Sequence, residues 1–123
     1  LAVTALTSLD RGDLDDLGFE CDVQDLVISR AKRAFEAGCD GIVSSGLEVP
    51  FIREYVDNKL ICVTPGIRPV ANNDDQKRVV DVATAFKSGS DYIVVGRPIK
   101  NAANRYEAAS NIQKIIKKTF ESV

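Results

Sequence analysis

Four short apolar runs rich in valine and isoleucine divide the chain, at residues 1–6, 41–43, 60–63 and 92–95. Within each run the apolar residues are nearly continuous and do not alternate with polar ones. That pattern is typical of parallel strands covered on both faces. Amphipathic helical patterns occupy the intervals between the runs. The order βαβαβαβα therefore predicts a parallel sheet with right-handed crossovers.

Three stretches repeat apolar or small residues at helical spacing and predict amphipathic helices. Their predicted buried faces comprise Val23, Val27, Ala31 and Ala34, then Val79, Ala83 and Phe86, then Ala108, Ile112, Ile115 and Thr119. A shorter helix is predicted around residues 51–56, with Pro50 near its first turn. The acidic stretch that holds Asp13, Asp15 and Asp16 is predicted to be a loop.

Two segments of the chain resemble each other, residues 34–43 and residues 85–94. In both, a helical pattern ends at a glycine, Gly38 or Gly89, suited to the left-handed position after a helix. An aspartate then leads into an apolar run. Because α/β proteins reuse such junctions, the repeat indicates a βα architecture and no particular function.

Two architectures use βα units of this kind, the open doubly wound sheet and the TIM barrel. The first apolar run ends in residues 7–10, Thr-Ser-Leu-Asp, where a dinucleotide-binding fold would carry a glycine-rich G-x-G-x-x-G turn. A complete barrel needs about 250 residues. We therefore predict one domain, over residues 1–123, with the fold of half a TIM (β/α)8 barrel: α/β, four parallel βα units.

Composition narrows the possible chemistry. The chain contains no histidine, which excludes Ser-His-Asp and Cys-His catalysis and histidine-ligated metals. The three cysteines are odd in number and widely spaced, which favours a reduced, cytoplasmic protein without a metal site. The net charge of −2 and the short apolar runs indicate neither a nucleic-acid partner nor a membrane span. Because the chain opens on Leu1 without a methionine, we expect a truncated start.

Arginine and glycine follow the third and fourth apolar runs, in residues 64–69, Thr-Pro-Gly-Ile-Arg-Pro, and residues 96–99, Gly-Arg-Pro-Ile. Glycine lets the backbone approach an anion, and arginine supplies a two-pronged charged donor. A single Gly-Arg pair would more often be a surface turn. Two such pairs at successive strand ends favour a phosphate site, because barrels commonly hold phosphate there.

Residues 70–76 between these motifs are mostly polar. They are either a solvated loop with an aspartate helix cap or a lid that closes over a bound phosphate, with Gln76 reaching inward. Thr7 and Ser8 at the first strand end are either a turn pair or hydroxyl donors to a substrate ring.

The motifs together resemble one family. Residues 3–8, 40–45, 63–69, 75–76 and 91–99 are similar, in order and spacing, to bacterial orotidine 5′-monophosphate decarboxylases. The pairing of Thr-Pro-Gly-Ile-Arg-Pro with Asp-Tyr-Ile-Val-Val-Gly-Arg-Pro-Ile carries most of this resemblance. It covers essentially the whole chain and implies strands five to eight of that barrel, its C-terminal half.

The resemblance also implies roles for single residues. Thr7 and Ser8 would contact the pyrimidine of a nucleotide monophosphate, OMP or UMP, while Arg97 and the Gly96 backbone would hold its phosphate. Gln76 would bridge phosphate and base, and Arg68 would support the loop and the phosphate region. In addition, Pro65 and Val43 would form apolar walls near the reacting carboxylate.

The family's catalytic Lys and Asp array, D-x-K-x-x-D, has no counterpart in this sequence. The resemblance therefore implies a fragment of the decarboxylase that uses no cofactor, contains no catalytic residue, is inactive alone and needs the N-terminal half of the barrel. Exposed strand edges further predict a homo-oligomer. Two alternatives stay open: a non-catalytic remnant or engineered half-barrel that self-associates, and another phosphate-binding barrel enzyme.

Overall fold

A computed structural model describes residues 1–68, 75 and 77–122. Within these residues, ten elements follow one another. They are β1 (Ala2–Val3), α1 (Arg11–Asp16), α2 (Val23–Glu36), β2 (Gly41–Val43), α3 (Val49–Tyr55), β3 (Ile61–Thr64), α4 (Val82–Lys87), β4 (Tyr92–Ile93), α5 (Arg97–Lys100) and α6 (Arg105–Glu121).

The four strands form one parallel sheet in the order β1-β2-β3-β4, so the predicted βα topology is confirmed. The first and last strands are shorter than the apolar runs that predicted them. Each has a single neighbour in the sheet, and beyond it only isolated bonds continue the pairing, Thr4 N to Val43 O and Val94 N to Thr64 O. Edge strands therefore end earlier than their hydrophobicity indicates.

The two faces of the sheet differ in burial. Ile42 and Cys62 are partners in adjacent strands, and both are fully buried beneath the helices. The alternate positions point to the opposite face, where Val3 is 64% exposed and Tyr92 62% exposed. We call this the open sheet face, formed by Val3, Val43, Ile61, Val63, Tyr92 and Val94. Among the described residues, helices therefore cover one face of the sheet and leave the other open, as expected for half of a barrel.

Helix α2 buries the predicted face, with Val27 and Ala31 fully enclosed. Helix α4 does not bury its predicted face, because it begins only at Val82. Asp81 is its N-cap and accepts a hydrogen bond from the Thr84 amide at 2.7 Å. Val79 thus lies outside the helix.

Val82 and Ala85 are the buried positions of α4. Of the predicted face, Phe86 packs against the same core, whereas Ala83 is not among the residues of that core. In α6, Ile112 and Thr119 are buried as predicted, but Ile115 is 39% exposed, and Ile116 packs in its place.

The acidic stretch after β1 is helix α1 and not the predicted loop. Asp10 caps it by accepting from the Asp13 amide at 3.0 Å, and the Asp13 carboxylate accepts from the Asp10 amide at 2.9 Å. This reciprocal capping box satisfies two backbone donors that would otherwise lack partners. Leu14 is fully buried, which fixes the helix against the core.

Both repeated helix ends adopt the predicted left-handed geometry, with φ of 86° at Gly38 and 105° at Gly89. The amide of the residue after each glycine donates a hydrogen bond to a carbonyl of the helix: Cys39 N to Ala34 O at 3.0 Å, and Ser90 N to Ala85 O at 3.1 Å. The core has two parts, one between β1–β3 and helices α1–α3, and one around α4 and α6. Within the described residues, no helix is long and apolar enough to cross a membrane.

Candidate anion-binding site

A cavity of about 280 Å³ opens at the carboxyl ends of the strands. Parallel strands bring the segments that follow them to the same edge of the sheet, so residues far apart in sequence meet there. The described residues that line it are Thr7, Pro65, Gly66, Arg68, Val94, Gly96, Arg97 and Lys100.

Four of the six predicted site residues meet in this cavity, namely Thr7, Arg68, Gly96 and Arg97. Ser8 follows Thr7 in the same turn and is partly buried, but it is not among the lining residues. Gln76 lies outside the described residues. Of the two predicted apolar walls, Pro65 lines the cavity and Val43, which lies in β2, does not.

Three cations line the cavity, Arg68, Arg97 and Lys100, and none of its described lining residues is acidic. The Arg97 side chain is 41% exposed, and its Nη1 lies 2.7 Å from Oδ1 of Asp75. Arg68 Nη1 donates to the carbonyl of its neighbour Ile67 at 2.8 Å. The arrangement concentrates positive charge where a small anion can enter from solvent.

Lys100 is a site residue that the sequence analysis missed. The sequence analysis placed residues 96–99 at the end of the last strand and did not include Lys100, whereas Arg97–Lys100 form the one-turn helix α5. Residues three apart in a helix share a face, so Lys100 joins Arg97 at the same cavity wall. From the sequence, the three-residue spacing of Arg97 and Lys100 would have placed Lys100 at the cavity only if a helix had been predicted there.

Two glycines shape the cavity in different ways. Gly66 has φ of 73°, a conformation that side chains with a Cβ rarely adopt. Its carbonyl accepts from the Val80 amide at 3.3 Å, which ties the loop after β3 to the segment before α4. Gly96 has an ordinary φ, and a Cβ placed on it would meet no atom within 4 Å. Its surroundings are therefore open space on the cavity side.

A buried ion pair lies behind the cavity wall. Arg78 Nη1 donates to Oε1 of Glu48, and the two side chains are 9% and 5% exposed. Burial raises the pKa of the Glu48 carboxyl, while the adjacent guanidinium acts in the opposite direction. Neither residue was predicted, because they lie 30 positions apart and no local pattern pairs them.

The cavity at the strand ends is suited to binding an anion. Its volume of about 280 Å³ lies near the lower limit of small-molecule sites. Among the residues that the structure places, no group of three or more His, Cys, Asp or Glu could hold a metal ion. A wider depression of about 400 Å³ lies on α2, but it is lined by that single helix, from Asp25 to Glu36, and gathers no strand end.

Comparison with known proteins identifies the relatives of this fold. A profile described as "Orotidine 5'-phosphate decarboxylase / HUMPS family" matches residues 1–112. The orotidine 5′-phosphate decarboxylase of Methylococcus capsulatus is 64% identical over 98% of this chain and 50% of its own length. The enzyme of Nitrobacter winogradskyi is 50% identical over 91% of this chain and 47% of its length.

Solved structures agree with the sequence relatives. The crystal structure of the Lactobacillus acidophilus orotidine 5′-phosphate decarboxylase superposes with a TM-score of 0.74 at 36% identity, over 93% of this chain and 47% of that one. The Pyrococcus horikoshii enzyme superposes with a TM-score of 0.66 at 27% identity, over 94% and 49%. The chain thus spans about half the length of the relatives it matches.

Proposed function

The chain belongs to the orotidine 5′-phosphate decarboxylase family, and we propose that it supplies the phosphate- and pyrimidine-binding half of such an enzyme. The reaction is conversion of OMP to UMP and CO2 in the cytoplasm, without a cofactor. Within the full barrel, β1 to β4 correspond to strands five to eight, and residues 1–123 form one half-barrel domain.

The cavity at the strand ends carries this proposal. It brings together Thr7, which follows β1, Arg68, which follows β3, and Arg97, which follows β4. Arginine forms charge-assisted, two-pronged hydrogen bonds with phosphate. Lys100 lines the same cavity, and a phosphate bound there replaces the Asp75 carboxylate that lies 2.7 Å from the Arg97 guanidinium.

Each residue has a part in nucleotide binding. Arg97 and the Gly96 backbone hold the 5′-phosphate, and Arg68 supports the adjacent loop. Thr7 and Ser8 contact the pyrimidine, and Gln76 bridges base and phosphate. The decarboxylation itself needs the family's Lys and Asp array. Because that array has no counterpart here, the chain alone binds the nucleotide without converting it.

The open sheet face is the surface for the complementary half-barrel. Val3, Ile61, Tyr92 and Val94 are all exposed there, at 64%, 36%, 62% and 50%. Contiguous exposed apolar surface of this kind marks an interaction site, and a barrel interior is filled with side chains from all its strands. In the isolated chain a second copy takes this place, giving a homo-oligomer.

Sedimentation tests the assembly. We expect a dimer or larger oligomer at micromolar concentration, and Tyr92→Ser should shift the equilibrium towards monomer because it removes an aromatic side chain from the contact. As a control, Tyr106→Ser changes an 85% exposed tyrosine on α6, away from the sheet, and should leave the assembly unaltered. A stable, non-aggregating monomer of the unsubstituted chain would contradict the proposed self-association.

Titration with uridine 5′-monophosphate and with inorganic phosphate tests the site. We expect saturable binding of both, with the nucleotide bound more tightly because it also contacts Thr7 and Ser8. If neither ligand binds to the chain, nor to the chain joined to a complementary half-barrel, the proposed site is wrong.

A further inference from the structure

The buried guanidinium of Arg78 donates hydrogen bonds to backbone carbonyls on both sides of the Thr7-Ser8 turn. Its Nη2 donates to the carbonyl of Leu6 at 2.8 Å and to that of Ala5 at 3.3 Å. Its Nε donates to the carbonyl of Leu9 at 3.0 Å. One side chain therefore contacts the chain immediately before and immediately after the two residues assigned to the pyrimidine.

The backbone around Arg78 adds to this attachment. The amides of Lys77 and Arg78 both donate to the carbonyl of Thr7, at 3.2 and 3.1 Å. The hydroxyl of Ser45, which follows β2, donates to the carbonyl of Arg78 at 3.1 Å. Segments that follow β1 and β2 are thus joined at one residue, which lies two positions after Gln76 in the sequence.

Glu48 completes the arrangement by neutralising the guanidinium. A buried ion pair adds little stability over a well-packed apolar pair, because both charges lose their hydration. Its function is better understood as conformational, since five donors fixed in one plane can hold several acceptors in a single geometry. Here those acceptors are the carbonyls that flank Thr7.

We propose that the Arg78–Glu48 pair is a positioning unit that fixes Thr7 and Ser8 at the cavity for contact with the pyrimidine of a bound nucleotide. This rests on the proposed function and deepens it. Neither side chain lines the cavity, so the pair acts through the turn and does not touch the ligand.

Hydrogen exchange tests the positioning without any ligand. Arg78→Lys keeps the charge opposite Glu48 but cannot reach all the carbonyls. The Leu9 amide, bonded to the Leu6 carbonyl at 3.1 Å, reports on the turn. We expect its exchange to accelerate about tenfold or more, as expected when a local opening becomes easier, while the Thr4 amide in the sheet stays protected.

Arg53 supplies a matched control. It also holds three carbonyls, including those of Leu60 and Gly89, and a carboxylate, Asp91, but these precede β3 and β4 at the opposite end of the sheet. Arg53→Lys should leave exchange at Leu9 unchanged. If Arg78→Lys does not fold, Glu48→Gln, which keeps an oxygen acceptor, should accelerate the same amide to a smaller extent.

A binding comparison completes the test. Arg78→Lys should weaken uridine 5′-monophosphate by about tenfold or more while changing inorganic phosphate by less than about twofold, because only the nucleotide uses Thr7 and Ser8. Arg53→Lys should change neither. Equal exchange at Leu9 in the Arg78→Lys and Arg53→Lys variants, or equal loss of both ligands, would overturn the inference. Failure of the unsubstituted chain to bind either ligand would instead count against the proposed function, and the exchange result would still decide the positioning.

Discussion

Replacing Arg97 by alanine is the sharpest perturbation of the proposed anion site. The side chain follows β4, lines the cavity and is 41% exposed, so its removal leaves the core intact. We expect little change in the melting temperature. The effect on binding should be much larger, because the guanidinium is the group best placed to face a phosphate.

Two contributions determine the size of the change in binding. A hydrogen bond to a charged group contributes about 1.5–3 kcal/mol, so Arg97→Ala should weaken nucleotide binding about ten- to a hundredfold. In the free chain the guanidinium pairs with Asp75 at 2.7 Å, and a phosphate must displace that carboxylate. Exposed pairs contribute about 0–1 kcal/mol. Asp75→Asn should therefore strengthen binding, by at most about fivefold.

Calorimetric titration with uridine 5′-monophosphate measures both effects. Arg11→Ala is the control, because Arg11 is also an exposed arginine paired with carboxylates, Asp15 and Asp22, but it lies on α1 away from the cavity. Its affinity should match that of the unsubstituted chain. If Arg97→Ala binds as tightly as Arg11→Ala, the assignment of the phosphate to Arg97 is wrong.

Two further predictions concern backbone and capping. The Gly96→Ala variant should melt at the same temperature as the unsubstituted chain, because the added Cβ meets no atom within 4 Å. It should bind phosphate more weakly in the same titration, since the added Cβ occupies space that the ligand needs. Unaltered binding would show that Gly96 is not part of the site. The Asp81 carboxylate accepts a hydrogen bond from the Thr84 amide, and this bond lowers the pKa of Asp81. The cap therefore stabilises the fold above about pH 4, and this stabilisation is lost as the pH falls through the pKa that Asp81 has in the folded chain. Asp81→Ala should reduce the free energy of unfolding in urea by about 1 kcal/mol at pH 7, and a difference that persists undiminished at pH 2.5 would contradict this origin.

Much of the fold could be predicted because its determinants are local. Continuous apolar runs indicated the parallel sheet, and the small-residue face of α2 indicated its packing. Gly38 and Gly89 indicated two left-handed helix ends. The gathering of Thr7 and Arg97 at one cavity then followed from geometry, because parallel strands end at the same edge of a sheet.

The features that were missed depend on contacts or capping that hydrophobic periodicity does not register. The register of α4 is set by the cap at Asp81, and α1 by a capping box between two aspartates in a segment that lacked an apolar pattern. Lys100 enters the site only because α5 forms after β4. The pairing of Arg78 with Glu48 joins residues 30 apart, each in a segment without a motif.

The central claim is that this chain supplies nucleotide binding and a complementary half-barrel supplies the chemistry. The most direct test joins the chain, in one polypeptide, to the part of the Methylococcus capsulatus decarboxylase that it does not match, and follows CO2 release from orotidine 5′-monophosphate. We predict turnover by the joined protein, a large loss when it carries Arg97→Ala, and none by the chain alone. Turnover by the rigorously purified chain alone, or a folded joined protein without activity, would contradict the account.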